Sequence, residues 1–253
     1  MVRQVGWVAT LVVAGLMVAT DGHAQTQSRC ADCHFANPGS VSASHLSEWD
    51  LSGHGRANVG CETCHGGDPR SFEPFIAHKD ILARTNPASP VHPTNLPKTC
   101  GTCHTGPLVA FQRSKHYELL LTGNKNGPTC TTCHGEAAGM RLSPKALEGQ
   151  CASCHGAGKI APHPEFPAQA RMADEGLRET RALLKDARSA IARVKDKARR
   201  ASLEQAAQQA EVPIIEATQA GHAFVFDQLS ERLTTARARL SALFERIANP
   251  DAR

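Results

Sequence analysis

Aromatic residues make up only 4% of the 253-residue chain, with a single tyrosine and two tryptophans. A conventional core for a chain of this length would draw on more of them, so apolar bulk from another source is expected. No cysteine lies outside one recurring motif, which leaves none for a separate disulfide framework. No segment reads as a strand, because β-branched and aromatic residues nowhere alternate between turn signals. Charge is nearly balanced, with 28 Lys plus Arg against 24 Asp plus Glu, which argues against a nucleic-acid surface. Beyond the N-terminus there is no apolar run long enough to cross a membrane.

At the N-terminus, Arg3 precedes an apolar stretch from Val5 to Ala19 that only Thr10 interrupts, and Gly22-His23-Ala24 suits a cleavage position. The stretch is shorter than the roughly 20 residues of a spanning helix. Residues 1–24 therefore read as a secretory signal, with Gln25 as the mature N-terminus and the periplasm as the destination. No cysteine stands at the cleavage point to carry a lipid anchor. In an oxidising compartment an even number of cysteines usually means disulfides, but here the spacing overrides that reading.

The pattern Cys-x-x-Cys-His occurs at Cys30/Cys33/His34, Cys61/Cys64/His65, Cys100/Cys103/His104, Cys130/Cys133/His134 and Cys151/Cys154/His155, and uses every cysteine. It reads as attachment of c-type haem. The two thiols form thioethers to the vinyl groups and the histidine supplies the proximal axial ligand. A zinc reading would pair thiolates four to a metal and would not require a histidine after each pair. Five covalent haems crowded between Cys30 and His155 must pack against one another, which suits electron transfer along an array. Their propionates outweigh the chain's small positive excess.

Residues 25–165 form this pentahaem region, rich in Gly, Pro, Ser, Thr and Asn. Short helices are predicted over 44–51, 72–84 and 108–121. Residues 166–253 lack cysteine and carry two apolar stripes. One runs Ala173, Leu177, Thr180, Leu184, Ala187, Ile191, Val194, Ala198, Ala201; the other runs Ile215, Thr218, His222, Val225, Leu229, Leu233, Ala236, Leu240, Leu243, Ile247. Broken at Pro213, they predict a long C-terminal antiparallel helical hairpin. The expected fold is thus mostly α, an irregular multihaem cytochrome c region followed by that hairpin. The basic run Arg193–Arg200 reads as a solvated helix surface or as a dock for an acidic redox partner.

Seven further histidines follow the signal segment: His45, His54, His78, His92, His116, His163 and His222. Bis-histidine ligation of five haems needs five of them. The same number permits one haem with an open face. His54 and His116 share a Ser-x-His context before a haem motif. His45 and His78 follow motifs, and His92 and His163 stand beside prolines as ligands or loop residues. His222 lies on the apolar stripe between Gly221 and two phenylalanines, either buried between helices or reaching an iron past the open face of Gly221.

The stretch from Cys30 to His155, about half the chain, resembles the multihaem cytochromes of the hydroxylamine oxidoreductase and cytochrome c554 group. The residues that carry this are Trp49-Asp-Leu-Ser-Gly-His54 with Val59-Gly-Cys-Glu-Thr-Cys-His-Gly66, Cys100-Gly-Thr-Cys-His104 with Phe111-Gln-Arg-Ser-Lys-His116, and Cys130-Thr-Thr-Cys-His-Gly135. The resemblance implies Ser-x-His histidines as distal ligands, haems stacked in parallel and perpendicular pairs, and long terminal helices. The chain departs from the enzymes of the group. Its one tyrosine, Tyr117, directly follows His116 and fits poorly with a tyrosine cross-linked to a catalytic haem. There is also no Cys-x-x-Cys-Lys site.

The expected function is periplasmic electron transfer between a redox-protein donor and acceptor, among them a periplasmic oxidoreductase or a membrane quinol oxidase. The alternative is an oxidoreductase acting on a small nitrogen or sulfur compound at one open haem, with Arg56, Lys79, Arg113 or His92 nearby. The hairpin would cap haem edges, or dock a partner or a second copy of the chain.

Overall fold

The computed structural model describes residues 29–37, 41–124, 126–137 and 139–249; residues 1–24, read above as a secretory signal, lie outside them. Among the described residues there are thirteen helices and no strand. Ten lie in the haem-motif region: α1 (Arg29–Ala36), α2 (Ala43–Asp50), α3 (Gly53–Arg56), α4 (Glu62–His65), α5 (Pro74–Ala77), α6 (Leu96–Gly101), α7 (Thr105–Phe111), α8 (Lys115–Leu121), α9 (Cys130–His134) and α10 (Pro144–His155). Three long helices follow: α11 (Phe166–Ile191), α12 (Lys197–His222) and α13 (Phe226–Ala248).

The short helices follow local signals. The first expected helix appears as α2, capped by Ser42, whose hydroxyl accepts from His45 N. The helix expected over 72–84 shrinks to α5 and is followed by Asp80 in the left-handed region at φ 64°. The one expected over 108–121 is split, because Ser114 ends the α7 segment and caps α8 by accepting from Tyr117 N.

The C-terminal region is a bundle of three helices rather than a two-helix hairpin. Its core consists of Leu177, Leu184, Ala187 and Ile191 from α11, Leu203, Ala207, Ala210, Ile214 and Ala217 from α12, and Leu229, Leu233, Ala236, Leu240 and Leu243 from α13. The stripes read in α11 and α13 are therefore the buried faces. Between Val194 and Val225 the reading fails. Ala198, Ala201 and Ile215 are not part of the core, and α12 buries a different row. The first break falls at Asp196, whose carboxylate caps α12 by accepting from Arg199 N at 2.6 Å. The basic run Arg193–Arg200 consequently spans this turn, and Arg199 reaches the last carbonyls of α13 at Arg246 and Ile247, where a cation complements the helix dipole.

Pro213 sits inside α12. Proline donates no N–H, which frees the carbonyl four residues back. That carbonyl, Gln209 O, accepts from the Arg239 guanidinium of α13 at 2.6 Å, so a neighbouring helix supplies the lost donor. Arg239→Ala is expected to destabilise the bundle by about 1 kcal/mol. In a double-mutant cycle read by chemical denaturation, Pro213→Ala should suppress most of that cost. Equal costs in both backgrounds would sever the link.

Candidate haem centres

Each Cys-x-x-Cys-His motif occupies a helical turn, as the amide of His65 bonding Cys61 O and that of His104 bonding Cys100 O illustrate. Residues three and four apart share a helix face, so the two thiols and the histidine of a motif project together. Gly66 and Gly135 close the turns of the second and fourth motifs at φ 79° and 81°, where a side chain would be strained.

Three of the other histidines are presented by serine-capped helices. Ser52 accepts from His54 N and Gly55 N, and its own hydroxyl donates to Trp49 O at 2.6 Å. Ser114 repeats the device, donating to Phe111 O. Ser42 does the same for His45, a cue present in the sequence as Ser-x-x-His. Both Ser52 and Ser114 are buried, so the Ser-x-His pattern has a structural cause: the serine starts a helix whose first turn carries the histidine.

The five motif histidines each face one other histidine. His34 stands 5.8 Å from His78 between ring centroids, His65 6.0 Å from His45, His104 5.9 Å from His54, His134 6.3 Å from His222 and His155 5.9 Å from His116. The pairs share no member. Ring planes differ by 9° in His134–His222, by 78° in His45–His65 and by 73° in His116–His155. The two remaining pairs are intermediate, at 53° and 57°.

Several imidazoles are held from behind through Nδ1. His222 faces Thr218 O at 2.8 Å, His134 faces Met140 O at 3.3 Å, His54 faces Ala137 O at 3.3 Å and His155 faces Pro162 O. Such contacts fix the ring and leave Nε2 to face its opposite number. Nδ1 of His116 is buried without a partner; instead the ring of Phe224 packs edge-on against His116 at 4.2 Å. Phe224 holds φ 60° at the end of α12, so one turn both presents His222 and wedges His116. Burial holds His65, His116 and His134 below the usual imidazole value, favouring the neutral form that binds metals.

Thiols of successive motifs adjoin in chain order. Cys30 is near Cys61, Cys64 near Cys100 and Cys103, Cys100 hydrogen-bonds Cys130, and Cys133 is near Cys151. Cys33 of the first motif and Cys154 of the last are seated by residues of their own segments. Cys33 Sγ accepts from Asn37 Nδ2 at 3.9 Å, and the Asn37 amide bonds Cys33 O at 2.9 Å. Cys154 Sγ lies 3.7 Å from Ser153 Oγ, while Cys154 O accepts from Ala161 N at 3.1 Å. All ten cysteines, these two included, are free of disulfides. Burial pushes the Cys61 and Cys151 thiols up to about 11, which disfavours thiolate ligation. Among the described residues no group of three or more His, Cys, Asp or Glu is arranged around one metal.

Comparison with family models bears on this arrangement. Cytochrome c7 and related cytochrome c matches residues 86–156, and cytochrome c554 and c-prime matches residues 13–66. Between them the matched ranges contain all five Cys-x-x-Cys-His motifs. The matches support a multihaem c-type cytochrome. Neither the curated proteins nor the solved structures give a significant match.

For a multihaem cytochrome, the histidine pairs can be tested against the group they would hold. With metal–imidazole bonds of about 2.0 Å, two axial rings on one metal lie roughly 6.3 Å apart between centroids. The pairs, at 5.8–6.3 Å, fit that requirement. His92 and His163 stand outside the pairs. His92 Nδ1 contacts Thr94 Oγ1 at 2.7 Å within its own turn. His163 faces Glu165 at 3.0 Å and stacks on Phe166. The carbonyls behind the rings carry no side-chain signal in the sequence, and Ala137 and Phe224 meet their histidines from far along the chain.

Proposed function

We propose that this cytochrome is a periplasmic electron-transfer protein with five c-type haems, each attached by one Cys-x-x-Cys pair and held between two histidines. The observation that carries the reading is the match of five motif histidines to five separate partners. His34, His65, His104, His134 and His155 would be proximal ligands, and His78, His45, His54, His222 and His116 the respective distal ones. The haem irons would supply one-electron redox couples.

The chain's own contribution is to hold each site rigid and six-coordinate. Paired histidines on every motif argue for electron transfer over small-molecule chemistry, which needs a vacant axial position. The chain-order proximity of the thiols supports a continuous array, since the haem edges attached there would lie near one another. On the same reading Cys33 with Cys30, and Cys154 with Cys151, would attach the first and last haems. Segments lent between motifs bind the array together: α2 and α3 would serve the second and third sites, and the stretch from His104 to His116 would join the third and fifth. Redox proteins are the implied partners, with donor and acceptor at opposite ends of the array. Export is supported by the pattern of Arg3, Val5–Ala19 and Ala24.

Two measurements test this. Intact mass of the purified protein should equal the chain beginning at Gln25 plus five haems. Low-temperature EPR of the oxidised protein should integrate to low-spin haem only. Parallel imidazole planes split the iron dπ orbitals and give a resolved rhombic signal, whereas perpendicular planes leave them nearly degenerate and give one broad low-field feature. One rhombic species and two broad ones are expected among the five. A high-spin component near one haem equivalent in the fresh protein would overturn ligation by five histidine pairs.

A further inference from the structure

Three arginines converge beside the His134–His222 pair. Arg141 follows Met140, whose carbonyl faces His134 Nδ1, and its charge is felt at His134. Arg181, on α11, donates from Nη2 to Thr218 Oγ1 at 2.8 Å, while the carbonyl of the same Thr218 faces His222 Nδ1 at 2.8 Å. The cluster is therefore tied to both rings of one pair, one arginine from each side. Arg178 completes it, donating to Leu142 O at 2.6 Å and to Asp174 at 2.7 Å.

The charges do not balance. Asp174, nearly buried at 12% side-chain exposure, pairs with both Arg141 and Arg178. Arg181 is half-buried and has no carboxylate within ion-pair distance among the described residues. The neighbouring ion pairs are closed on themselves: Arg171 with Glu175 and Glu148, Arg188 with Glu211, Arg237 with Glu179. Three guanidiniums against one carboxylate leave an excess of two positive charges. Arg141 and Arg178 reach solvent, at 46% and 38% side-chain exposure, but the half-buried Arg181 is partly desolvated, which is costly for an uncompensated guanidinium unless an anion completes the site.

We propose that Arg141, Arg178 and Arg181 bind the two propionates of the haem held by His134 and His222. The inference rests on the axial assignment above. Guanidinium forks suit carboxylates, the excess charge equals that of two propionates, and the cluster flanks both axial ligands of that site. Its consequence is an elevated reduction potential there, because cations near an iron favour the less positive, reduced state.

The test is a potentiometric titration of the holoprotein, followed at the rhombic EPR signal of the parallel pair. Arg181→Gln should shift that haem's equilibrium toward the oxidised form about tenfold, which is about 59 mV for a one-electron couple. Arg181→Lys should recover most of the shift. Arg188→Gln, in the same α11–α12 groove but outside the cluster, should leave the signal near its wild-type potential. Haem content and helicity of each variant establish that it has folded. A rhombic signal at wild-type potential in Arg181→Gln overturns the proposal, and so does an equal shift in Arg188→Gln. A wild-type potential that moves with added phosphate, and ceases to do so in Arg181→Gln, would assign the cluster to a solution anion instead. Failure of the axial assignment would look different: the wild type would lack the rhombic signal, or His222→Ala would leave it in place.

Discussion

Replacing His222 with alanine should convert one haem of five from low-spin to high-spin while all five stay attached. Cys130, Cys133 and His134 would be untouched, so haem content is expected to remain at wild type. The rhombic EPR signal should vanish, because His134–His222 is the near-parallel pair, at 9°. The new high-spin haem should bind carbon monoxide in the reduced state, and added imidazole should restore the low-spin form. His92→Ala and His163→Ala should change none of this, since one contacts Thr94 and the other Glu165 and Phe166. Full low-spin character in His222→Ala, or loss of a broad signal in place of the rhombic one, would break the assignment.

The second large effect concerns folding without haem. We infer that the chain comprises two units, and that a protein made without haem attachment, with motif cysteines changed to alanine, keeps only the C-terminal bundle. The continuous core lies entirely in α11, α12 and α13. In the haem-motif region the buried apolar side chains are few and scattered, chiefly Ala31, Leu46, Trp49, Val91, Leu96, Ala110 and Leu120. Most helices there have eight residues or fewer, lengths that do not persist in water without tertiary support. A haem completes apolar contacts that the chain lacks, and ligation contributes folding free energy directly. Circular dichroism of the haemless protein should retain roughly the helix of residues 166–249, and limited proteolysis should leave a fragment beginning near Phe166. A protease-resistant N-terminal half would contradict this.

Legibility in the sequence tracked the range of the cause. The five motifs are local, one helical turn each, and were readable in full. The Ser-x-His context of His54 and His116 is equally local, because a serine cap and its histidine are neighbours. The buried faces of α11 and α13 followed from periodicity. Pro213 misled because its remedy, Arg239, comes from another helix, and a proline read alone signals a break. The break at Asp196 went unread, because the apparent stripe continued past it to Ala201. Which histidine meets which could not be read at all, since His222 and His134 lie on opposite sides of α11 in the chain. The arginine cluster escaped for the same reason: its members come from the α9–α10 loop and α11, two of them sharing Asp174 and the third reaching a threonine on α12.

The crossing of segments between motifs also imposes a schedule. As a chain lengthens from its N-terminus, a histidine pair exists only once its later member has been made. The second pair is then available first, at His65, followed by the first at His78, the third at His104 and the fifth at His155. The fourth waits until His222, after two helices of the bundle have been synthesised. A polypeptide ending anywhere from 156 to 221 holds four complete pairs and one half-dressed site. Its iron would be open to any small ligand that arrived before the last helical turn.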